Sequence, residues 1–252
     1  MSNNARIERE KKFHDERYSD DRREQQAGKF YSITNSIIKS YKEKILANSY
    51  DAKVIEYGCG TGSYASTIAK NQPKLVTGID ISPVAIEVAR TKAAEQNLGE
   101  QIDFKVMNAE KLEFAESSYD LICGSAILHH LDLDLAVNSI IRTLKPNGKA
   151  IFIEPLGHNF LINLYRRLTP NIRSEDEHPL LEKDLKVIAS NFRQSKINYF
   201  YLTSLAASFV AKKPGFKILL NCCLWLDSIL LKLPGIKQQA WMVLIELEQP
   251  IK

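Results

Sequence analysis

The run V-I-E-Y-G-C-G-T-G-S at 54–63 sets three glycines on alternate positions directly behind a short apolar segment. Glycine weakens regular structure, so Gly58, Gly60 and Gly62 mark places where φ must be positive or where a β-carbon would block a close approach to the backbone. Two phosphate-cradle readings lose ground. A dinucleotide fingerprint needs G-x-G-x-x-G, and Ser63 stands where that pattern wants glycine; a P-loop needs a G-K-[ST] that does not follow. Asp80 ends the next apolar run, V-T-G-I-D, and precedes Ser82-Pro83, so it reads either as a ligand carboxylate or as a helix start. His129 and His130 follow the run Y-D-L-I-C-G-S-A-I-L; an imidazole titrates near neutral pH, so either could take a proton from a bound hydroxyl.

All of these residues stand at junctions between elements. Short apolar runs at 53–57, 75–79, 102–107, 119–124 and 149–154 read as strands, while 61–70, the segment from Pro83 and 133–144 carry helical spacing. Ser82 with Pro83 makes a helix start. Repeated strand-helix units mean an α/β protein, a parallel sheet covered by helices on both faces. Ligands of such sheets bind outside the carboxyl ends of the strands, where Glu56, Asp80 and the two histidines fall. Beyond 154 the regularity loosens; a strand at 197–202 and a strand-like run from Ala240 follow. Upstream, 30–46 carries helical apolar spacing, and 1–29 is dense in charge and reads as a frayed start followed by a solvated helix.

The glycine run resembles motif I of the class I S-adenosylmethionine-dependent methyltransferases, an acidic residue followed by x-G-x-G-x-G, here Glu56-Tyr57-Gly58-Cys59-Gly60-Thr61-Gly62. The resemblance continues in order over about 54–154. It takes in T-G-I-D-I-S with Asp80 and Ile81, then Asn108-Ala109-Glu110, then Y-D-L-I-C-G-S-A-I-L-H-H-L with Ser125, and finally L-K-P-N-G-K-A-I-F-I-E-P. The last two motifs are similar to those of the ubiquinone and menaquinone methylases. The resemblance implies a Rossmann-like seven-stranded, mostly parallel sheet with an antiparallel last strand. It implies S-adenosyl-L-methionine as cofactor, held by Glu56, Gly58, Cys59, Gly60, Gly62, Asp80, Ile81, Asn108, Ala109, Glu110 and Ser125. Glu56 would fix the turn or receive the ligand's ammonium, and Asp80 would bond the ribose diol. Asn108 replaces the commoner aspartate, and an amide still serves the exocyclic amine of adenine. The implied reaction is methylation of a small, lipophilic or aromatic acceptor, O-methylation before C- or N-, with His129 and His130 as catalytic candidates. The rival is a cofactor-binding scaffold without turnover. An NAD-dependent dehydrogenase is disfavoured by Ser63, and nucleic-acid amino-methylation by the lack of an N-P-P-Y or D-P-P-Y tetrapeptide.

With 252 residues, 44% hydrophobic and 25% charged, the chain suits one elaborated domain, and a net charge of +4 falls well short of a nucleic-acid binder's footprint. Cys59, Cys123, Cys222 and Cys223 form no C-x-x-C pair, and no His/Cys cluster has zinc-ligand spacing, so no metal is expected. The start lacks the apolar core of a signal peptide, so the expectation is a cytoplasmic protein. Residues 1–46 read as a helical extension, 47–155 as the cofactor-binding core, and 156–252 as an acceptor-site lid, an apolar helix and strands completing the sheet. In 157–180, Arg166, Arg167 and Arg173 could clamp an anionic acceptor, or the segment could be laced by its own ion pairs. The tract 216–233 is the most apolar; its wide greasy face suits a lid packed on the core, a dimer interface, or an interfacial helix meeting a membrane surface.

Overall fold

The computed structural model describes residues 3–18, 30, 32–62, 64–170, 173–211 and 213–252. The readings placed on 1–2, on 19–29 and on Ser63 lie outside the described residues. Seven strands form one sheet: β1 (Lys53–Tyr57), β2 (Leu75–Asp80), β3 (Ile102–Val106), β4 (Tyr119–Ser125), β5 (Leu144–Pro155), β6 (Phe192–Phe200) and β7 (Met242–Pro250). Their order across the sheet is β3-β2-β1-β4-β5-β7-β6. The first five run parallel, and β7 lies antiparallel between β5 and β6.

Helices α1 (Asn3–Tyr18), α2 (Asn35–Ala47), α3 (Ala65–Ala69), α4 (Pro83–Glu95), α5 (Leu133–Thr143), α6 (Phe160–Leu168), α7 (Glu182–Ser190) and α8 (Phe216–Leu230) flank the sheet. The strands of a covered parallel sheet are apolar on both sides, and successive residues feed opposite cores. Thus Val54, Leu121 and Ile151 pack with Ile37, Tyr41 and Ile45 of α2 and Ile86 of α4. Their strand neighbours Ile55, Ile122 and Phe152 pack with Val137 and Ile140 of α5 and Ile188 of α7.

Several elements depart from the sequence reading. Helix α3 starts at Ala65 rather than Thr61, because Gly58, Gly60 and Gly62 all have positive φ, at 68°, 51° and 82°, and cannot continue into a right-handed helix. Strand β6 starts at Phe192, five residues earlier than expected, and the segment read as irregular holds α6 and α7. The charged α1 is not a solvated helix throughout: Glu10 and His14 are 4% and 9% exposed.

The apolar tract also departs from a simple lid. Within α8 only Cys223 and Asp227 are buried, while Ile218 and Trp225 are 73% and 64% exposed. Asp227 explains how a helix of this character is anchored. Its carboxylate accepts from Leu202 N (3.1 Å), Thr203 N (2.7 Å) and Ser204 N (3.3 Å), and from the hydroxyls of Thr203 and Ser204, both at 2.6 Å. It ties α8 to the 3₁₀ segment Thr203–Val210. Asp227→Ala strands those donors, so it is expected to cost about 3 kcal/mol and lower the thermal midpoint by roughly 6–12 °C. A melting curve followed by circular dichroism checks this; an unchanged midpoint would show that α8 is held by its apolar contacts alone.

Candidate active site at the carboxyl edge of the sheet

The residues singled out by type and spacing collect along one edge of the sheet, and buried carboxylates organise the turns there. Glu56, in β1 and 2% exposed, accepts from Tyr64 N at 3.0 Å and Ala65 N at 2.6 Å. These are the first donors of α3, which no side-chain cap satisfies. Of its two expected roles, Glu56 performs the fixing of the turn. Burial pushes its carboxyl up to about 8, against the pull of the two amides toward the ionised form.

Asp80, at the end of β2, accepts from Gly60 N at 2.8 Å through one oxygen and from Ser82 N at 3.0 Å through the other. The helix-start role belongs to Ser82, whose hydroxyl oxygen accepts from Ala85 N at 3.0 Å as the cap of α4. Each Asp80 oxygen has one acceptor site left, as a vicinal diol requires. Two further turn amides are committed: Cys59 N donates to Ile79 O at 2.8 Å, and Gly62 N to Cys59 O at 2.9 Å. A turn with the amides of Cys59, Gly60 and Gly62 already engaged, and with Glu56 and Asp80 beside it, is a poor phosphate nest. It fits a cofactor that carries no phosphate. A Cβ on Gly58 would come within 2.7 Å of Ile127, and one on Gly62 within 3.3 Å of Ala89, so neighbouring packing adds its own demand for glycine at both positions.

Ile81 follows Asp80 directly, half-buried, and the thiol of Cys59 is buried, burial pushing it well up. Beyond β3, Asn108 Oδ1 accepts from Glu110 N at 2.9 Å. The carbonyl of Ala109 accepts from the hydroxyl of Tyr57. Glu110 is 6% exposed, accepts from Asp132 N at 2.8 Å, and pairs with Arg6 of α1. Ser125 ends β4 beside Ile153 of β5.

The two histidines occupy different environments on the short 3₁₀ segment Leu128–His130. His129 is 1% exposed, and its Nδ1 lies 2.7 Å from Oε2 of the fully buried Glu154. The other oxygen of Glu154 accepts from Ile127 N (2.9 Å) and Leu128 N (2.8 Å). A carboxylate on Nδ1 orients the ring and leaves Nε2 as the proton-accepting nitrogen. His130 Nδ1 lies 3.1 Å from Glu10 Oε2 on α1. Burial and the adjacent His129 pull His130 down to about 4, outweighing Glu10, so it is neutral and a weak base. Burial would raise Glu10, but contact with His130 and His14 holds it ionised, well below the usual range.

Helix α1 therefore lies over this edge. Arg6 donates to His130 O at 3.0 Å, Arg9 makes paired bonds of 2.9 and 2.7 Å to Asp176, and Ser82 donates to Asp15. Glu154, Glu10 and His14 were not among the sequence candidates. Glu154 closes the apolar run I-F-I-E, and Glu10 and His14 stand four apart on a helix, a spacing that puts both on one face. Of the three arginines expected to clamp an anion, Arg166 and Arg173 are otherwise engaged. Arg166 donates to Leu156 O and Asn163 Oδ1, both at 2.9 Å, and Arg173 pairs with Glu177 at 3.1 Å, so 157–180 is laced by its own bonds.

The raised Glu56 carboxyl has a measurable consequence. Below its ordinary 4.5 the group is protonated in both folded and unfolded chains. Between 4.5 and about 8 the fold retains a proton that the unfolded chain releases, so this contribution to stability is lost as pH rises toward 8. Urea unfolding at pH 5 and pH 8.5 should show a smaller stability difference for Glu56→Gln than for the wild type. An equal difference in both would mean that Glu56 does not titrate in this range.

A methyltransferase-domain family model matches residues 55–152. Demethylmenaquinone methyltransferase of Chlorobaculum parvum is 29% identical over 178 residues, 66% of each chain. Ubiquinone biosynthesis O-methyltransferase of Bartonella tribocorum is 32% identical over 97 residues, 38% of each. The chain thus spans about two thirds of the length of the first relative and under two fifths of the second. Among solved structures, geranyl diphosphate C-methyltransferase from Streptomyces coelicolor superposes with a TM-score of 0.62 at 14% identity, over 85% of this chain and 76% of that one. The matched segment runs from the strand bearing Glu56 to Phe152, two residues before Glu154 in β5, and over that segment the chain is similar to S-adenosylmethionine-dependent methyltransferases.

Proposed function

We propose that the protein methylates a hydroxyl of a small lipophilic or aromatic acceptor, using S-adenosyl-L-methionine. The observation that carries this reading is the pairing, on one edge of the sheet, of a phosphate-averse glycine turn backed by Asp80 with a histidine held by a buried carboxylate. The turn at Gly58, Gly60 and Gly62 and the free acceptor sites of Asp80 would hold the cofactor's methionine and ribose portions. Ala109 and Ile81 would form apolar walls, and Asn108 would serve the adenine amine. When bound, the cofactor supplies a methyl already activated on a sulfonium. What remains for the chain is alignment, exclusion of water and removal of the acceptor's proton. His129 does the last: Nε2 takes the hydroxyl proton while Glu154 stabilises the resulting imidazolium. His130 is neutral and faces α1, which supports a positioning part rather than proton transfer.

The lipophilic acceptor rests on the apolar surface beyond the core. Besides α8, Phe160 and Leu168 of α6 are 74% and 72% exposed. Among the described residues no helix is long and apolar enough to cross a membrane. An exposed tryptophan at position 225 with Lys217 and Lys232 at the helix ends suits an interfacial helix that meets a bilayer surface and draws an oily acceptor from it. One relative is named for methylation of demethylmenaquinone and the other as an O-methyltransferase of ubiquinone biosynthesis, which agrees with that chemistry.

Methyl transfer from labelled cofactor to a panel of hydroquinones and phenols tests the reaction. His129→Ala is expected to lower kcat about 10²-fold with the cofactor KM nearly unchanged, and Glu154→Gln to lower kcat and alter its pH profile. Full turnover in His129→Ala would remove base catalysis by this residue. In a separate flotation assay the protein should rise with anionic vesicles, and Trp225→Ser should weaken this. Failure to float, together with a dimeric mass by light scattering, would assign the apolar face to a second copy of the chain.

A further inference from the structure

We infer that Glu10 and His14 of α1 and His130 of the segment after β4 form a site for one divalent transition-metal ion of the zinc class. The inference is independent of the methyl-transfer reading. Ligand atoms of the three residues lie within 4.8 Å of one another. Glu10 Oε2 is 3.1 Å from His130 Nδ1 and 3.5 Å from His14 Nε2. Tetrahedral zinc with bonds of 2.0–2.1 Å sets its ligand atoms ~3.3 Å apart, so these separations bracket what the ion needs.

The second observation is the state of the atoms themselves. Glu10 and His130 are 4% and 3% exposed. Neither Glu10 Oε2 nor His130 Nδ1 has a hydrogen-bond partner among the described residues, although they face each other at 3.1 Å. Buried polar atoms are otherwise nearly always hydrogen-bonded. A carboxylate oxygen and an imidazole nitrogen at this separation, buried and contributed by two different elements, can share either a proton or a metal cation.

The surroundings match a metal centre. The other oxygen of Glu10 accepts from the hydroxyl of Ser174, and the carbonyl of His130 accepts from Arg6 at 3.0 Å, so the carboxylate and the histidine are each held from behind. Two imidazoles and one carboxylate suit zinc, cobalt or nickel; magnesium and calcium call for oxygen donors throughout. Three protein ligands leave a fourth position open. His129, His130 and Glu177 make an overlapping group, but His129 is engaged by Glu154 and Glu177 by Arg173. Because the ligands come from α1 and from the segment after β4, an ion here would staple the helix across the edge of the sheet beside His129.

The test is calorimetric titration of tag-free, chelator-treated full-length protein with zinc chloride, and with magnesium chloride in parallel. The expected result is one zinc per chain with micromolar or tighter affinity, weakened at least tenfold in His14→Ala and in Glu10→Gln, and no magnesium uptake. Cobalt added instead should give the visible absorption of a four-coordinate nitrogen-oxygen site. His178→Ala, which alters a histidine outside the trio, should bind as the wild type does. Absence of zinc binding by the wild type would overturn the inference. So would undiminished binding in both His14→Ala and Glu10→Gln, each shown by circular dichroism to be folded.

Discussion

Buried carboxylates accepting main-chain N–H groups are the constraint on which this edge of the molecule depends. Glu56, Asp80 and Glu154 stand at or near the carboxyl ends of β1, β2 and β5, and each receives two backbone donors from turns that would otherwise lack partners. The arrangement costs desolvation, and burial accordingly raises the Glu56 carboxyl. In exchange the turns are fixed by hydrogen bonds to groups that are themselves locked in the sheet. A glycine turn pinned from two sides can hold an open shape with nothing bound, which is the preorganisation that binding and orientation require.

The same device explains the division between the histidines. Glu154 has capacity beyond the amides of Ile127 and Leu128, and His129 takes it up. His130, one residue on, lies with its ring 4.2 Å from that of His129 and meets Glu10 of α1. Adjacent residues of one type thereby acquire different partners. The split follows from which carboxylate each Nδ1 meets, Glu154 of β5 for His129 and Glu10 of α1 for His130.

Much of this was legible in the sequence because it was local. The apolar runs, the glycines, the Ser82-Pro83 start and the order of motifs all depend on residues close in the chain, and each appeared where read or within a few residues of it. The burial of α1 was not legible: its charged residues are buried only because His130, Glu110 and Asp176 lie opposite, more than 100 positions away. The arginines of 157–180 show the converse. Their type and clustering pointed to an anion, yet Arg166 turns back to the carbonyl of Leu156 and Arg173 to Glu177. Helix α8 presents another limit of pattern reading, since a wide apolar face does not say which part of it the fold covers. The carboxylate of Asp227, with the carbonyl of Cys223, shows where the helix is tied.

The central claim is that the turn after β1 with Asp80 forms the cradle of a cofactor without phosphate. Calorimetric titration with S-adenosylhomocysteine, run beside NAD and repeated on Asp80→Ala, tests it most directly. The account predicts one-to-one binding of S-adenosylhomocysteine, no binding of NAD, and loss of binding in the variant. Binding of NAD in place of S-adenosylhomocysteine, or no binding of either by the wild-type protein, would contradict it.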